Sequence, residues 1–262
     1  MIPHSFDYAA ATSFADALEQ VAAGAKPLSG GMSLIPMMKL RLAAPERVVD
    51  LGRIQGLNYI HQDQAGIHVG ALATHFEIES SALLRAGCPL LAETAGWIGD
   101  VQIRNRGTIG GSVAHADPSA DYPAALVALD AHVVVASKRG GERTLPARDF
   151  FVDAFTTAAE PDELVKEIIV PVETLGTSYQ KLLQPASGFA IVGVAARIGQ
   201  DGKGCLGVTG LGAKPILIAD ATDLSALNTT EANSDIHASS AYRREMAKVY
   251  ARRAIAAARA RA

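Results

Sequence analysis

Near the start of the chain, Phe14, Ala17, Leu18 and Val21 recur at helical spacing, with Ser13 and Asp16 as a capping box before them and Gly24 after. This pattern predicts a helix over 13–23. A short strand over 26–29, a helical turn over 34–42 that Pro45 ends, and a strand over 48–51 come next. Residues 1 to about 55 therefore read as a small α/β unit. Strands over 57–61 and 66–71 then flank the polar turn 62–65, and Thr74 with Glu77 forms a second capping box. Leu91, Thr94, Ala95 and Ile98 mark an amphipathic helix, and Pro123 opens another that runs through Leu129. Strands over 131–136 and, past the turn 138–142, a partner lead to a last strand over 163–170, with Pro171 at a seam. From Leu175 the pattern changes to long strands, with a hairpin turn at Asp201-Gly202, and closes in a helix over 239–260. On that helix Tyr242, Met246, Val249, Tyr250 and Arg253 are expected to share one face.

Composition narrows the picture. With 262 residues, 49% of them hydrophobic, the chain has material for one large or two smaller globular cores. A net charge of −3 without a basic and aromatic patch argues against nucleic acid as a partner. No stretch reaches the ~20 apolar residues that a membrane span needs, and the N-terminus lacks a targeting pattern. The expected location is the cytoplasm. The two cysteines, Cys88 and Cys205, are too few for an iron–sulfur cluster and read as buried thiols. Residues 241–262 carry seven Lys/Arg and one acidic residue, so the last helix presents either a solvated face or a docking surface.

The candidate chemistry lies in two glycine runs. Ser29-Gly30-Gly31-Met32-Ser33 and Thr108-Ile109-Gly110-Gly111-Ser112 each pair glycines with hydroxyls, a composition that turns backbone N–H groups towards an anion. Two such runs are suited to grip one diphosphate from both sides. Gly202-Lys203-Gly204-Cys205-Leu206-Gly207 fits the dinucleotide fingerprint in letters only, because it sits in a hairpin instead of opening a helix. Neither a Walker A sequence nor a Gly-x-Ser-x-Gly elbow is present. His115, Asp117 and Asp121 form a cluster better suited to a ligand's hydroxyls than to a metal, and no residue is assigned to a metal. His61, His68 and His75 recur every seven residues, but two fall in expected strands and one at a helix start, so the period defines no common face.

The runs at 29–36 and 104–118 resemble the FAD-binding signatures of the flavoprotein subunits of molybdenum hydroxylases, such as the medium subunit of carbon monoxide dehydrogenase and the FAD subunit of xanthine dehydrogenases. The segment 237–244 resembles the start of that family's last helix. The resemblance implies an α+β chain: a two-part FAD-binding fold of the vanillyl-alcohol-oxidase (PCMH) type over 1–174, with parts at about 1–55 and 56–174. A C-terminal domain of antiparallel sheet and helices would occupy 175–262. By resemblance, Ser29, Gly30, Gly31, Met32, Ser33 and Leu34 line one side of the FAD diphosphate, and Thr108, Gly110, Gly111, Ser112, Ala114 and His115 the other. Asp121 matches an aspartate that bonds the ribityl chain, a contact worth only about 1.5–3 kcal/mol, and Tyr179 and Lys181 match positions near the flavin ring. Gln184 and Gly188 depart from the family pattern, which has a basic and an acidic residue there.

The resemblance further implies non-covalent FAD, no catalytic acid or base on this chain, and two partners: a small subunit with [2Fe-2S] clusters and a large subunit with the molybdenum cofactor. Such assemblies are heterotrimers that pair into dimers. A self-contained flavin oxidase or reductase of the same fold is the alternative reading.

Overall fold

A computed structural model describes residues 2–262. The first unit contains β1 (Asp7–Ala10), α1 (Phe14–Ala22), β2 (Lys26–Leu28), α2 (Leu34–Lys39) and β3 (Arg47–Asp50). Its three strands lie parallel in the order β1-β3-β2. β1 was invisible in the pattern because its residues are exposed or half-buried and carry no apolar alternation. Ser13 caps α1 by accepting from the Asp16 N–H, but Asp16 returns its bond to the N–H of Thr12, so only half of the expected box forms. α2 stops at Lys39, well before Pro45, because Arg41 turns to φ +60° and the N–H groups of Leu42 and Ala43 double back to the Met37 carbonyl.

The second unit begins with β4 (Ile60–Gln62) and β5 (Ile67–Gly70), then runs through α3 (His75–Ser80), α4 (Ala82–Gly87), α5 (Pro89–Gly96), α6 (Val101–Arg104), α7 (Ile109–His115) and α8 (Tyr122–Ala128). It continues as β6 (His132–Ser137), β7 (Gly141–Pro146), α9 (Ala147–Phe150), β8 (Phe151–Asp153), β9 (Thr156–Thr157) and β10 (Leu164–Val170). An antiparallel sheet, β4-β5-β10-β6-β7, backs the helices. β4 starts later than expected because Leu57 is drawn into the first unit's core with Val49, Ile54 and Leu164. The Thr74–Glu77 capping box forms in full. α8 is buried along its whole length, consistent with its unbroken apolar run.

The third unit is an antiparallel sheet, β11 (Gly176–Leu183), β12 (Ala190–Ile198), β13 (Gly204–Thr209) and β14 (Ile216–Ile218), followed by α10 (Ala226–Thr229) and α11 (Ser240–Arg259). The dinucleotide-like glycines lie in the β12–β13 hairpin and β13, as the pattern predicts. The face of α11 differs from the expected one: Ala247, Ala251, Ala254 and Ala258 are buried, while Tyr242 is exposed. Small side chains let this helix lie close on the sheet, and the larger apolar residues only flank the contact.

Two basic residues of the tail are committed to other elements of the molecule. Arg243, 3% exposed, donates to the carbonyls of Ile191 and Gly210 and to Asp235. Arg261 bonds Glu93 and the Thr177 carbonyl, tying the chain end to α5 and β11. Neither side chain belongs to a free docking face. The third unit joins the second through α8, whose core includes Tyr179 and Ala195, and through the buried Glu173, which pairs with Arg197. Among the described residues no helix is long and apolar enough to cross a membrane.

Candidate functional site

β2 delivers the chain into the first glycine run, which turns through Ser29 to Ser33 and enters α2. Gly31 sits at φ +78°, where a side chain is strained. Gly30 is needed for another reason: a Cβ there would lie 2.0 Å from the Arg106 carbonyl oxygen. The first run is therefore pressed against the backbone that leads into the second. Among the described residues, no backbone carbonyl accepts from the N–H of Gly30, Gly31, Met32 or Ser33, and the Ser33 hydroxyl caps nothing. A row of unpaired backbone donors around a left-handed glycine is a nest for an anion.

The second run is built differently from the expectation. Residues Ile109–His115 are helical, Thr108 caps the helix through its hydroxyl, and neither Gly110 nor Gly111 has positive φ. Its first N–H groups are already engaged: Ile109 and Gly110 donate to the carbonyls of Ala73 and Ala71, Gly111 to the Thr108 hydroxyl and Ser112 to the Thr108 carbonyl. The open donors therefore come from the first run, and the second supplies a smooth helical wall. That wall presents Gly111 and Ala114 to solvent, with Ser112 and His115 half-buried beside them. The hydroxyls of Ser29 and Thr108, 2.7 Å apart, join the two runs across 79 positions of sequence.

His75 supports the second run from beneath. Its backbone N–H donates to the Gly107 carbonyl, its Nδ1 lies 3.1 Å from the Tyr122 hydroxyl, and a Cβ at Gly107 would meet its Nε2 at 2.5 Å. Burial, and then the charge of Arg104, push its imidazole down to about 4. Between about pH 6.5 and 4 the unfolded chain thus holds a proton that the folded chain lacks. Stability from neutral His75 is complete above about pH 6.5 and falls by about 3 kcal/mol as the pH drops through that window. Urea unfolding at about pH 7 and about pH 4.5 is expected to show this loss in the wild type and not in His75→Phe, and equal losses in both would refute it.

Asp121, Tyr179 and Lys181, expected around a ligand, contact one another. Asp121 accepts from the Tyr179 hydroxyl at 2.6 Å and from Lys181 Nζ at 2.9 Å, and Nζ also donates to the Trp97 carbonyl at 3.0 Å. All three residues are buried. Burial raises the Asp121 carboxyl above the usual carboxylate range despite the pull of Lys181 and Tyr179, and it raises the Tyr179 phenol as well. Each Asp121 oxygen is thus engaged by a side chain of the C-terminal sheet. The residue holds β11 against the start of α8.

The remaining positions are also accounted for. His115 stacks at a tilt on Phe155, Asp117 accepts from the Ser119 N–H, and among the described residues His115, Asp117 and Asp121 do not form a group with ligand atoms at metal-binding distance. Gln184 and Gly188 form the tight β11–β12 turn: Gly188 lies at φ +73°, and Gln184 Oε1 accepts from Ser187. That conformation explains a glycine at 188 without reference to any ligand. Cys88 and Cys205 are free thiols, Cys88 buried and pushed up to about 12 by burial, Cys205 half-buried.

The family model described as the FAD binding domain in molybdopterin dehydrogenase matches residues 4–173. The chain is 37% identical to the carbon monoxide dehydrogenase medium chain of Afipia carboxidovorans, covering 100% of this chain and 99% of that one. It is 35% identical to the glyceraldehyde dehydrogenase medium chain of Sulfolobus acidocaldarius, covering 95% and 96%. The solved carbon monoxide dehydrogenase from Hydrogenophaga pseudoflava that lacks the Mo-pyranopterin moiety of the molybdenum cofactor superimposes with a TM-score of 0.93 at 35% identity, covering 100% of this chain and 99% of that chain.

Proposed function

Because this chain belongs to the family of FAD-binding domains in molybdopterin dehydrogenases and is a subunit of an FAD-dependent oxidoreductase, we propose that it is the electron-transfer subunit of a heterotrimeric molybdenum hydroxylase. The observation that carries this reading is the pair of glycine runs: four unpaired N–H groups on one, a small-residue helical wall on the other, joined at Ser29 and Thr108. These features fit a diphosphate, which needs donors and close approach together. Gly30, Gly31, Met32, Ser33 and Leu34 would hold it from one side, and Gly111, Ser112, Ala114 and His115 would form the opposite wall. Thr108 and Gly110 position that wall, and Tyr179 and Lys181 hold Asp121, at the start of the next helix, against the C-terminal sheet. In this reading, residues 1–174 form a two-part PCMH-type fold and 175–262 the C-terminal domain.

When bound, FAD supplies a centre that exchanges electrons singly or in pairs, between an iron–sulfur donor and NAD, a quinone or another acceptor. The chain's own residues bind and orient. The acid/base candidates Asp121, Tyr179 and Lys181 are consumed in their own network, so substrate oxidation is assigned to a molybdenum-containing large subunit and electron relay to a small iron–sulfur subunit. A dimer of such heterotrimers in the cytoplasm completes the proposal.

The purified chain is expected to be yellow, to release all its flavin on acid precipitation because the 30–33 run has no nucleophile suited to a tether, and to bleach with dithionite. Oxidation of the complex's substrate is expected only after both partner chains are added. Substrate turnover by the single chain, free of molybdenum and iron, would overturn the subunit reading in favour of a self-contained oxidase.

A further inference from the structure

The seven-residue spacing of His61 and His68 has a structural counterpart that the sequence pattern concealed. The two residues are direct cross-strand partners in the β4–β5 hairpin, with ring centroids 4.9 Å apart and planes 7° from parallel. The turn between them brings Asp63 to the same place: its Oδ1 lies 3.0 Å from His68 Nε2. One ligand atom from each of His61, Asp63 and His68 falls within 4.8 Å of the other two. The turn closes later than the expected 62–65, because Gln62 still pairs with Ile67 in the ladder and Asp63 donates its N–H to the Gly66 carbonyl.

The second side of His68 makes this more than a cluster of polar surface groups. Its Nδ1 lies 3.1 Å from Glu167 Oε2 on β10, an oxygen that also accepts from the Tyr59 hydroxyl at 2.6 Å. The Glu167 side chain is 13% exposed and that of His68 12%, so the pair is held in the sheet, whereas Asp63, 53% exposed, faces water. A carboxylate that accepts from Nδ1–H fixes the tautomer with the Nε2 lone pair outward. Nε2 lies 3.0 Å from the Asp63 oxygen, where a metal ion would take the place of the proton that joins the two atoms in an ion pair. Two imidazole nitrogens and a carboxylate oxygen, one imidazole backed by a second carboxylate, form the donor set of a borderline divalent metal with an open fourth position.

We propose that His61, Asp63 and His68 bind a divalent transition-metal ion of the zinc class at the edge of the five-stranded sheet, with Glu167 as the positioning residue. The site lies on the β4–β5 hairpin, does not use the glycine runs and is independent of the flavin. Bound metal would pin the β4 edge strand to the turn that follows it.

The test uses the full chain in its flavin-loaded form without an affinity tag, titrated with zinc chloride by calorimetry and with cobalt chloride by visible absorption. One equivalent is expected to bind, with the d–d bands of four- or five-coordinate cobalt and a rise in thermal midpoint with zinc. His61→Ala and Asp63→Ala change exposed side chains, so the fold and flavin content are expected to persist while the cobalt bands and the thermal shift disappear. Glu167→Gln is expected to weaken zinc binding about 10-fold to about 100-fold with the stoichiometry kept, the signature of a group that orients a ligand. Absence of cobalt bands in the wild type, or uptake by His61→Ala equal to wild type, would overturn the proposal and leave the His68–Asp63 contact as an ordinary ion pair.

Discussion

Asp121→Ala is expected to destabilise the folded chain by about 3–5 kcal/mol, a much larger effect than the loss of one exposed ligand contact. In the wild type the carboxylate is buried between the Tyr179 hydroxyl and Lys181 Nζ. The side chain of Lys181 is fully buried, so its removed partner leaves an ammonium with only the Trp97 carbonyl to face. An uncompensated charge in the interior costs far more than the net value of the pair that held it. Lys181→Met alone leaves the opposite charge stranded and is expected to cost a similar amount. Combining Asp121→Leu with Lys181→Met removes both charges and should recover most of the loss. Urea unfolding of the wild type, Asp121→Leu, Lys181→Met and the double variant gives the coupling directly. A cost for Asp121→Ala below about 1 kcal/mol would show that water reaches this network in solution. Because the network holds β11 against α8, any loss of flavin in Asp121→Ala should scale with unfolding rather than precede it.

Gly111→Val is expected to do the reverse: weaken FAD binding at least about 100-fold, roughly 2.7 kcal/mol, while leaving the fold in place. The position is helical, so a left-handed backbone is not at stake. A Cβ at 111 would meet the Thr108 hydroxyl at 3.0 Å and Ser29 at 3.8 Å, and the branches of valine would extend into the space between the two glycine runs. Valine in the first turn of an exposed helix costs only about 0.7 kcal/mol or less in propensity, so the thermal midpoint of the flavin-free protein should move little. The measurement is flavin fluorescence on titration of apoprotein. Wild-type affinity in Gly111→Val would remove the second run from the cradle and leave the first alone.

Much of this protein was determined locally. The capping box at Thr74, the buried run of α8, the β6–β7 and β12–β13 hairpins and the change of character after Pro171 each arise from residues a few positions apart, where periodicity and turn chemistry act directly. The two glycine runs were equally legible, because glycines beside hydroxyls are a local signal for close approach. What each run does was decided only by the tertiary structure. Ser29 meets Thr108 from 79 positions away and Gly30 packs on Arg106, which leaves the first run's donors unpaired and spends those of the second on Ala71 and Ala73. Asp121 reads in sequence as a carboxylate available to a ligand, yet Tyr179 and Lys181, from a strand some sixty residues later, close around it. Arg243 and Arg261 read as surface charge and are bound to carbonyls of other elements. His61 and His68 shared a period with no evident face, and the hairpin pairing set them opposite each other. In each case the deciding partner lies far along the chain, and the pairing of a buried donor with its acceptor leaves no periodic trace in sequence. Local pattern set which segments form and which groups are available, and long-range packing set which of those groups remain free to act.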